Sequence, residues 1–452
     1  MIDVINPATE EVIGSIVDSD AATVDAAVSA ASAALGSWSA LSPATRAGYL
    51  RALADEFEKR SDEISELVTR QNGTPISITR AMQSQVPVCY RYFASLAEKL
   101  SVEEHVTTAS GDAIVLREPV GVVGAITPWN GPQPLIAWKL GPALAAGCTA
   151  VIKPAPETSL DAFVFAEIVA AAGIPEGVVN IVTGGRETGA ALVAHPGVHK
   201  VAFTGSTVAG KAIAAECAKQ LKHVTLELGG KSAGILLDDL DLDAFRPLVL
   251  SACAPNTGQT CRALTRVLAP ESRYDEVVDM LAATMSGIPQ GDPLDPTVFF
   301  GPLVNATQRE RVESYIELGK AEGAELVIGG GRPFDRGYYV SPTIFRGVTN
   351  DMRIAREEIF GPVLTVMPYR TVDEAVAIAN DSEYGLGGGV FSPDRDRATE
   401  VARRIVTGSV GVNTSTLPIE TPFGGVKNSG IGRELGPQSV DAYLEYKTIF
   451  RA

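Results

Sequence analysis

Cys261 stands in NTGQTCRA (residues 256–263), among polar, turn-forming residues just ahead of an apolar run. Cys89 and Cys217 fall in helical patterns and Cys148 in the packed-looking AAGCTAV, so the loop thiol is the accessible one. A thiol is only slightly ionised near neutral pH. To act as a nucleophile it needs a helix dipole, a cation or a base beside it; without one it is an unreactive loop cysteine. Glu227, in LELGG (226–230), ends an apolar run with leucine on both sides. Such surroundings raise a carboxyl pKa toward neutrality, which suits a general base; the alternative is a structural glutamate paired with a cation. In TPWNGP (127–132) two prolines bracket Trp129, Asn130 and Gly131. A rigid loop carrying a neutral amide suits an oxyanion hole, and it is also ordinary turn chemistry.

A fourth stretch, FTGSTVAGKA (203–212), spaces Gly205, Gly210 and Lys211 as a phosphate-cradling loop does, but puts Ala212 where a hydroxyl must hold Mg²⁺. Nucleoside triphosphate hydrolysis is therefore disfavoured. Two readings remain: a strand turning into a helix capped by Ser206 or Thr207, or a helix N-terminus that receives a pyrophosphate without metal. No G-x-G-x-x-G occurs in the chain. Lys211 then becomes a surface lysine.

These stretches lie at regular places in the pattern. The periodicity predicts helices over 21–35, behind the capping candidates Ser19 and Asp20, over 43–71, stopped by Asn72-Gly73, and around 85–100. The polar stretch 101–112 leads into a strand or hairpin at 113–117. From Val120, the apolar runs VGVVGAI, TAVIKP, VVNIV, KVAF and HVTLEL alternate with helical stretches at 134–146, 159–172, 186–194 and 208–221. That alternation predicts a parallel sheet covered by helices, with ligands beyond the carboxyl ends of its strands. After Gly229-Gly230 a second alternation starts at AGILL (233–237), with helices near 241–252, 274–285, 306–322, 372–380 and 395–405.

A chain of 452 residues supports two or three domains. The net charge of −16 opposes nucleic acid and anionic membrane surfaces. The odd cysteine count, the absence of C-x-x-C and the four histidines argue against a disulfide framework and a zinc cage, so no metal is expected. Without a signal-like start or an eighteen-residue apolar run, a cytoplasmic protein is expected.

INPATEEVIG, TPWN, WKLGPALAAG, VIKPAPETS, FTGST, LELGGKS, GQTC, EEIFGPV and PFGGVKNSGIGRELG run in this order along nearly the whole chain. Together they resemble the aldehyde dehydrogenase superfamily, of the hydrolytic type that does not acylate CoA. The resemblance implies that Cys261 attacks an aldehyde, that Asn130 and the Cys261 N–H hold the oxyanion, and that Glu227 activates the water that hydrolyses the resulting thioester. Lys139 and Glu434 match positions that order the site and relay protons. For the cofactor it implies Lys153 at the adenine ribose, Gly205 and Ser206 at the pyrophosphate, Glu358 and Phe360 at the nicotinamide end, and Thr127 and Trp129 beside them. Where many NAD-preferring members carry Glu three residues after the Lys, this chain has Pro156, with Glu157 one place later. NAD is the expected cofactor, with NADP left open.

The fold implied is α/β, with two Rossmann-like parallel-sheet domains and a small β arm. The cofactor domain covers 1–97 and 120–229, the catalytic domain 230–430, and the arm 98–119 and 431–452, pairing two subunits into a homodimer or homotetramer. Relatives often carry an extra strand pair ahead of NPAT, a motif this chain reaches almost at once. Gly131, Leu135, Trp138, Thr260 and Arg262 are expected to line the substrate tunnel. A glycine after Asn130 suggests a tunnel wide enough for an aromatic or terpenoid aldehyde. The rival expectation is a semialdehyde whose carboxylate pairs with Arg262.

Overall fold

The computed structural model describes residues 1–451. Its first large sheet orders the strands Gly430–Ile431, His223–Glu227, Lys200–Thr204, Val122–Ile126, Thr149–Lys153 and Val179–Ile181, all parallel except the first. Alternation along these strands decides the layers. Val123, Ala125, Ala150, Ile152 and Ala202 face one apolar cluster with Leu50, Phe57, Tyr90, Phe93 and Leu140 from the helices. Val122, Val151, Val201 and Phe203 face another, with Val24, Val28 and Leu192. Burying each such side chain stabilises the fold by about 1.5–3 kcal/mol.

The second sheet orders Glu325–Ile328, Thr343–Arg346, Val363–Tyr369, Arg266–Pro270, Ala233–Leu236, Gly388–Phe391 and Gly411–Val412, antiparallel only at its first pair. Again the inward residues alternate: Ile235, Leu268 and Val390 on one face, Leu236, Val267 and Phe391 on the other. A three-stranded antiparallel sheet places Gly111–Pro119 between Glu103–Thr108 and Leu444–Arg451. Among the described residues no helix is long and apolar enough to cross a membrane.

Several elements differ from the sequence pattern. The helix expected over 43–71 is two, Pro43–Lys59 and Ser61–Asn72, because Arg60 leaves helical geometry (φ −115°, ψ 11°). The stop at Asn72-Gly73 holds, with Gly73 left-handed at φ 76°. The third expected helix, Ile76–Lys99, starts nine residues before Gln85 and runs through Pro87; its opening ISITRAMQS carries Ser and β-branched residues that weaken the helical signal. Pro247 likewise divides 241–252 into Leu242–Phe245, a 3₁₀ turn and Val249–Cys253. Ile2–Asn6 and Glu11–Ile16 form a hairpin around NPAT. Gly430–Ile431 straddles the boundary expected at 430 and pairs with Glu227 and Leu226 of the first sheet.

Candidate active site

The carboxyl ends of the first sheet carry TPWNGP after Val122–Ile126, FTGST after Lys200–Thr204, and Glu227 as the last residue of its strand. Gly229 and Gly230 then lead to the second sheet. A Cβ at 230 would stand 2.4 Å from the Cys261 carbonyl oxygen, and one at 229 would stand 2.5 Å from Glu358 Oε2. Only glycines let this crossing lie against both the cysteine loop and the EEIFG turn.

Cys261 is the one cysteine of the five that is not fully buried. Its thiol is still enclosed enough that burial, then the charges of Glu358 and Glu227, push it up to about 12, with Arg262 opposing. Glu227 is 3% exposed, and neither carboxylate oxygen has a hydrogen-bond partner among the described residues. Burial and the neighbouring Glu434 hold its carboxyl well above the usual range, against the pull of Lys139 and Arg433. At Gly424 (φ 155°) a Cβ would stand 2.6 Å from Glu227 Oε1, which explains a glycine there. Lys139, fully buried, donates to Glu434 Oε1 (2.7 Å) and Thr204 Oγ1 (2.5 Å), leaving Glu434 Oε2 without a partner.

Asn130 Nδ2 donates to the Gln259 carbonyl at 2.9 Å, two residues before Cys261. The loop carbonyls are clamped in turn: Asn256 Nδ2 donates to Asn130 O (3.3 Å) and Asn72 Nδ2 to Trp129 O (3.0 Å). Asn256 and Thr257 are left-handed (φ 50° and 57°), a strained pair held by this packing. Sequence reasoning missed Asn72, Asn256 and Gln259. The adjoining turns quote them, but their partners lie far away in the chain.

Along the rest of the strand ends, Lys153 is buried and donates to its neighbour Pro154 O at 2.8 Å. Burial lowers its ammonium to about 8, partly offset by Glu157 and Asp18. Glu157 follows Pro156 in a 3₁₀ turn and accepts from Asn305 Nδ2 at 3.1 Å. Gly205 leads into Ser206, which caps Thr207–Ala218 by accepting from Ala209 N at 3.3 Å. Lys211 is exposed on that helix. Thr127 Oγ1 is buried without a partner. Trp129 meets Phe360 edge to face, 5.4 Å between centroids. Phe360 is left-handed (φ 65°) and its carbonyl accepts from Gln308 Nε2 at 2.8 Å. Glu358 Oε1 accepts from Gly230 N at 2.9 Å; burial raises its carboxyl to about 7, against the Gly230 N–H, Lys231 and Arg311.

A buried lysine, a hydroxyl unpartnered among the described residues and a helix N-terminus along one row of strand ends, with the Glu358 carboxylate brought to Gly230 from the EEIFG turn, fit a dinucleotide. Among the described residues no cluster of three His, Cys, Asp or Glu side chains could hold a metal.

The space beside Gly131 is not empty: a Cβ there would stand 3.1 Å from Met82 Cε and 3.6 Å from Leu135 Cδ1. A flexible thioether thus forms the wall expected to be open. Trp138 packs on Phe423 at 5.5 Å, Thr260 Oγ1 donates to Pro255 O at 3.2 Å, and Arg262 Nη1 donates to the Ser415 carbonyl.

Behind the Asn130 loop lies a buried triad. Gln133 Nε2 and Gln71 Nε2 donate to the two oxygens of Asp161 at 2.6 and 3.0 Å. Burial raises this carboxyl from 3.8 to about 6, although both amides pull it down. The folded state therefore keeps a proton that the unfolded chain gives up, so this group's contribution to stability falls as pH rises from about 4 to 6. The loss is about 3 kcal/mol by pH 7. Asp161→Asn should abolish that slope: denaturant melts at pH 4 and pH 7 should show its stability relative to the parent rising with pH.

The sequence model described as the aldehyde dehydrogenase family matches residues 1–449. A geranial dehydrogenase of Castellaniella defragrans is 52% identical, the alignment covering 99% of this chain and 94% of that protein. The crystal structure of a Mycobacterium tuberculosis aldehyde dehydrogenase complexed with NAD⁺ superposes with a TM-score of 0.98 at 45% identity, over 100% of this chain and 94% of that one. A mutant of aldehyde dehydrogenase C from Pseudomonas syringae, complexed with NAD⁺ and octanal, gives 0.96 at 43%, over 99% and 93%. Sequence and fold agree over nearly the full length, and the chain belongs to the aldehyde dehydrogenase family.

Proposed function

We propose that the protein oxidises a bulky apolar aldehyde to its carboxylic acid with NAD⁺. One observation carries the reading: a loop thiol, an amide-bearing loop and a buried, unpartnered carboxylate converge where the two sheets meet. Cys261 Sγ adds to the aldehyde carbon as its proton leaves toward Glu227. Asn130 has two amide protons and uses one on Gln259, so the other can meet the oxyanion together with the Cys261 N–H. The chemistry a bound NAD⁺ supplies is acceptance of the hydride, which leaves an acyl thioester on Cys261. Glu227 gives the Cys261 proton up to solvent, then takes one from the water that attacks the thioester; the acid departs, and the leaving Cys261 thiolate recovers a proton from Glu227. Lys139 orders Glu434 and Thr204 behind Glu227.

Lys153, Gly205, Ser206, Glu358 and Phe360, with Thr127 and Trp129, would hold the dinucleotide. Glu157, fixed by Asn305 near Lys153, disfavours an added phosphate by like-charge repulsion. The chain residues 1–97 with 120–229 and 230–430 would serve as cofactor and catalytic domains. The arm, whose Tyr446, Ile449 and Phe450 are exposed, would join subunits of a cytoplasmic homodimer or homotetramer. An apolar substrate is supported by Leu135, Trp138, Leu417 and Ile419, half-buried at the cluster that Cys261 borders or, for Leu135, beside Gly131, and by the geranial dehydrogenase relative. Arg262, engaged by Ser415, gives less support to a semialdehyde. Assays of reduced-cofactor formation should show a higher kcat/KM for citral than for acetaldehyde, and for NAD⁺ than for NADP⁺. Equal or better turnover of acetaldehyde would refute the bulky-substrate reading, and no turnover of any aldehyde would refute the whole.

A further inference from the structure

Arg262 sits directly after Cys261, half-buried, and its side-chain hydrogen bond among the described residues goes to a carbonyl and not to a carboxylate. Its guanidinium donates through Nη1 to the carbonyl of Ser415. Ser415 lies in the irregular segment 413–422, between the strand Gly411–Val412 and the bridge of Phe423 with Glu434. Both ends of this segment are fixed. Asn413 exchanges hydrogen bonds with Ser392 (2.9 and 2.6 Å), and the Ile419 carbonyl accepts from Gly436 N at 3.0 Å. Among the described residues, the hydrogen bonds that tie its middle to the cysteine side are at Ser415, from Arg262 and with the Ser251 hydroxyl at 3.0 Å. Next along the segment, Leu417 and Ile419 pack half-buried on the apolar cluster that Cys261, Trp138, Tyr92 and Leu96 also border.

We infer that Arg262 is a positioning residue that sets the width of the passage to Cys261, by holding Ser415 and so fixing Leu417, beside the separately anchored Ile419, as one wall. A charged donor on a backbone carbonyl makes the stronger kind of hydrogen bond, and the planar fork limits how far the segment can swing. Gly387 lies beside Arg262, where an added Cβ would come into ordinary contact with Arg262 Cβ at 3.6 Å. Arg262 therefore transmits a fixed position from the nucleophile loop to the opposite wall. A large apolar aldehyde gains from a wall held in contact with it, whereas a two-carbon aldehyde reaches the thiol without touching that wall. The inference rests on the aldehyde reading above, but concerns which aldehydes are preferred.

The test uses the full-length enzyme with NAD⁺ and the variants R262A and R262K, assayed with citral, acetaldehyde and succinic semialdehyde, alongside limited proteolysis mapped within 413–422. In R262A the citral to acetaldehyde ratio of kcat/KM should fall about tenfold, mainly through KM for citral, the size expected from loosened apolar contacts. Cleavage within 413–422 should quicken, and R262K should move both readouts less and in the same direction. Unchanged ratio and unchanged cleavage would overturn the inference. So would a loss confined to succinic semialdehyde, which makes Arg262 a carboxylate partner, or an equal loss of kcat for all three, which places it in the chemistry. If the parent enzyme is indifferent to aldehyde size, the bulky-substrate reading fails, while the cleavage comparison still decides the tether. If R262A does not fold, the R262K shifts carry the same decision.

Discussion

Cys261→Ala is expected to reduce aldehyde oxidation by at least about 10⁴-fold while leaving a folded protein that still binds NAD⁺. The four other thiols cannot take over. Cys89, Cys148, Cys217 and Cys253 are buried. Burial pushes Cys148 up to about 11 and Cys253 up to about 12, and raises Cys89 and Cys217 as well. Cys261 carries an equally raised thiol, so raised pKa is not what distinguishes it. Access is, together with the Asn130 amide, which donates to the Gln259 carbonyl two residues before Cys261, and a carboxylate able to receive the proton. Steady-state assays and acyl trapping on the denatured enzyme check this. A variant that still accumulates acyl label, or keeps more than a hundredth of the parent's turnover, would remove Cys261 from the chemistry.

The strand ends that carry this chemistry were readable because parallel strands announce themselves as short apolar runs closed by Gly, Pro and Asn. TPWNGP, FTGST and LELGG fall at such junctions, while GQTC stands ahead of its strand. Each stretch alone supported a bland alternative, and one bland feature is indeed present: Ser206 caps its helix. What the pattern could not reveal were contacts between distant stretches. The two-residue strand Gly430–Ile431 has no periodicity of its own and exists only because Leu226 and Glu227 offer an edge. Asn72 and Asn256 read as turn residues, yet their amides clamp the Asn130 loop from two other elements. Met82 sits in the opening turns of its helix, whose Ser and β-branched residues weaken the helical signal, so Gly131 looked like open space although the Met82 methyl borders it. The Asp161 carboxylate gave no signal, because its partners Gln71 and Gln133 are ordinary polar residues until the helices meet.

Glu227→Gln should lower steady-state turnover by about 10²–10⁴-fold and change the shape of the pH profile. Burial and Glu434 raise the Glu227 carboxyl, and Lys139 and Arg433 only partly restrain it. The base form is the ionised one, so parent activity should be lost as pH falls through that raised pKa and should grow as pH rises through it, above the usual carboxylate range. The Glu227 charge helps raise the Cys261 thiol, since a thiolate and a carboxylate in one apolar enclosure repel. The thiol is therefore ionised most readily when its proton passes to Glu227. Glutamine ends that exchange, and the rise with pH should give way to a later one that follows hydroxide and the thiol. If Glu227 serves only thioester hydrolysis, Glu227→Gln will show a burst of one reduced cofactor per site, followed by slow turnover that hydroxylamine accelerates. If it also receives the Cys261 proton, the burst itself will slow. A parent-like pH profile at parent-like rate would instead leave Glu227 a buried carboxylate without a role in the reaction, and the water's proton would need another acceptor.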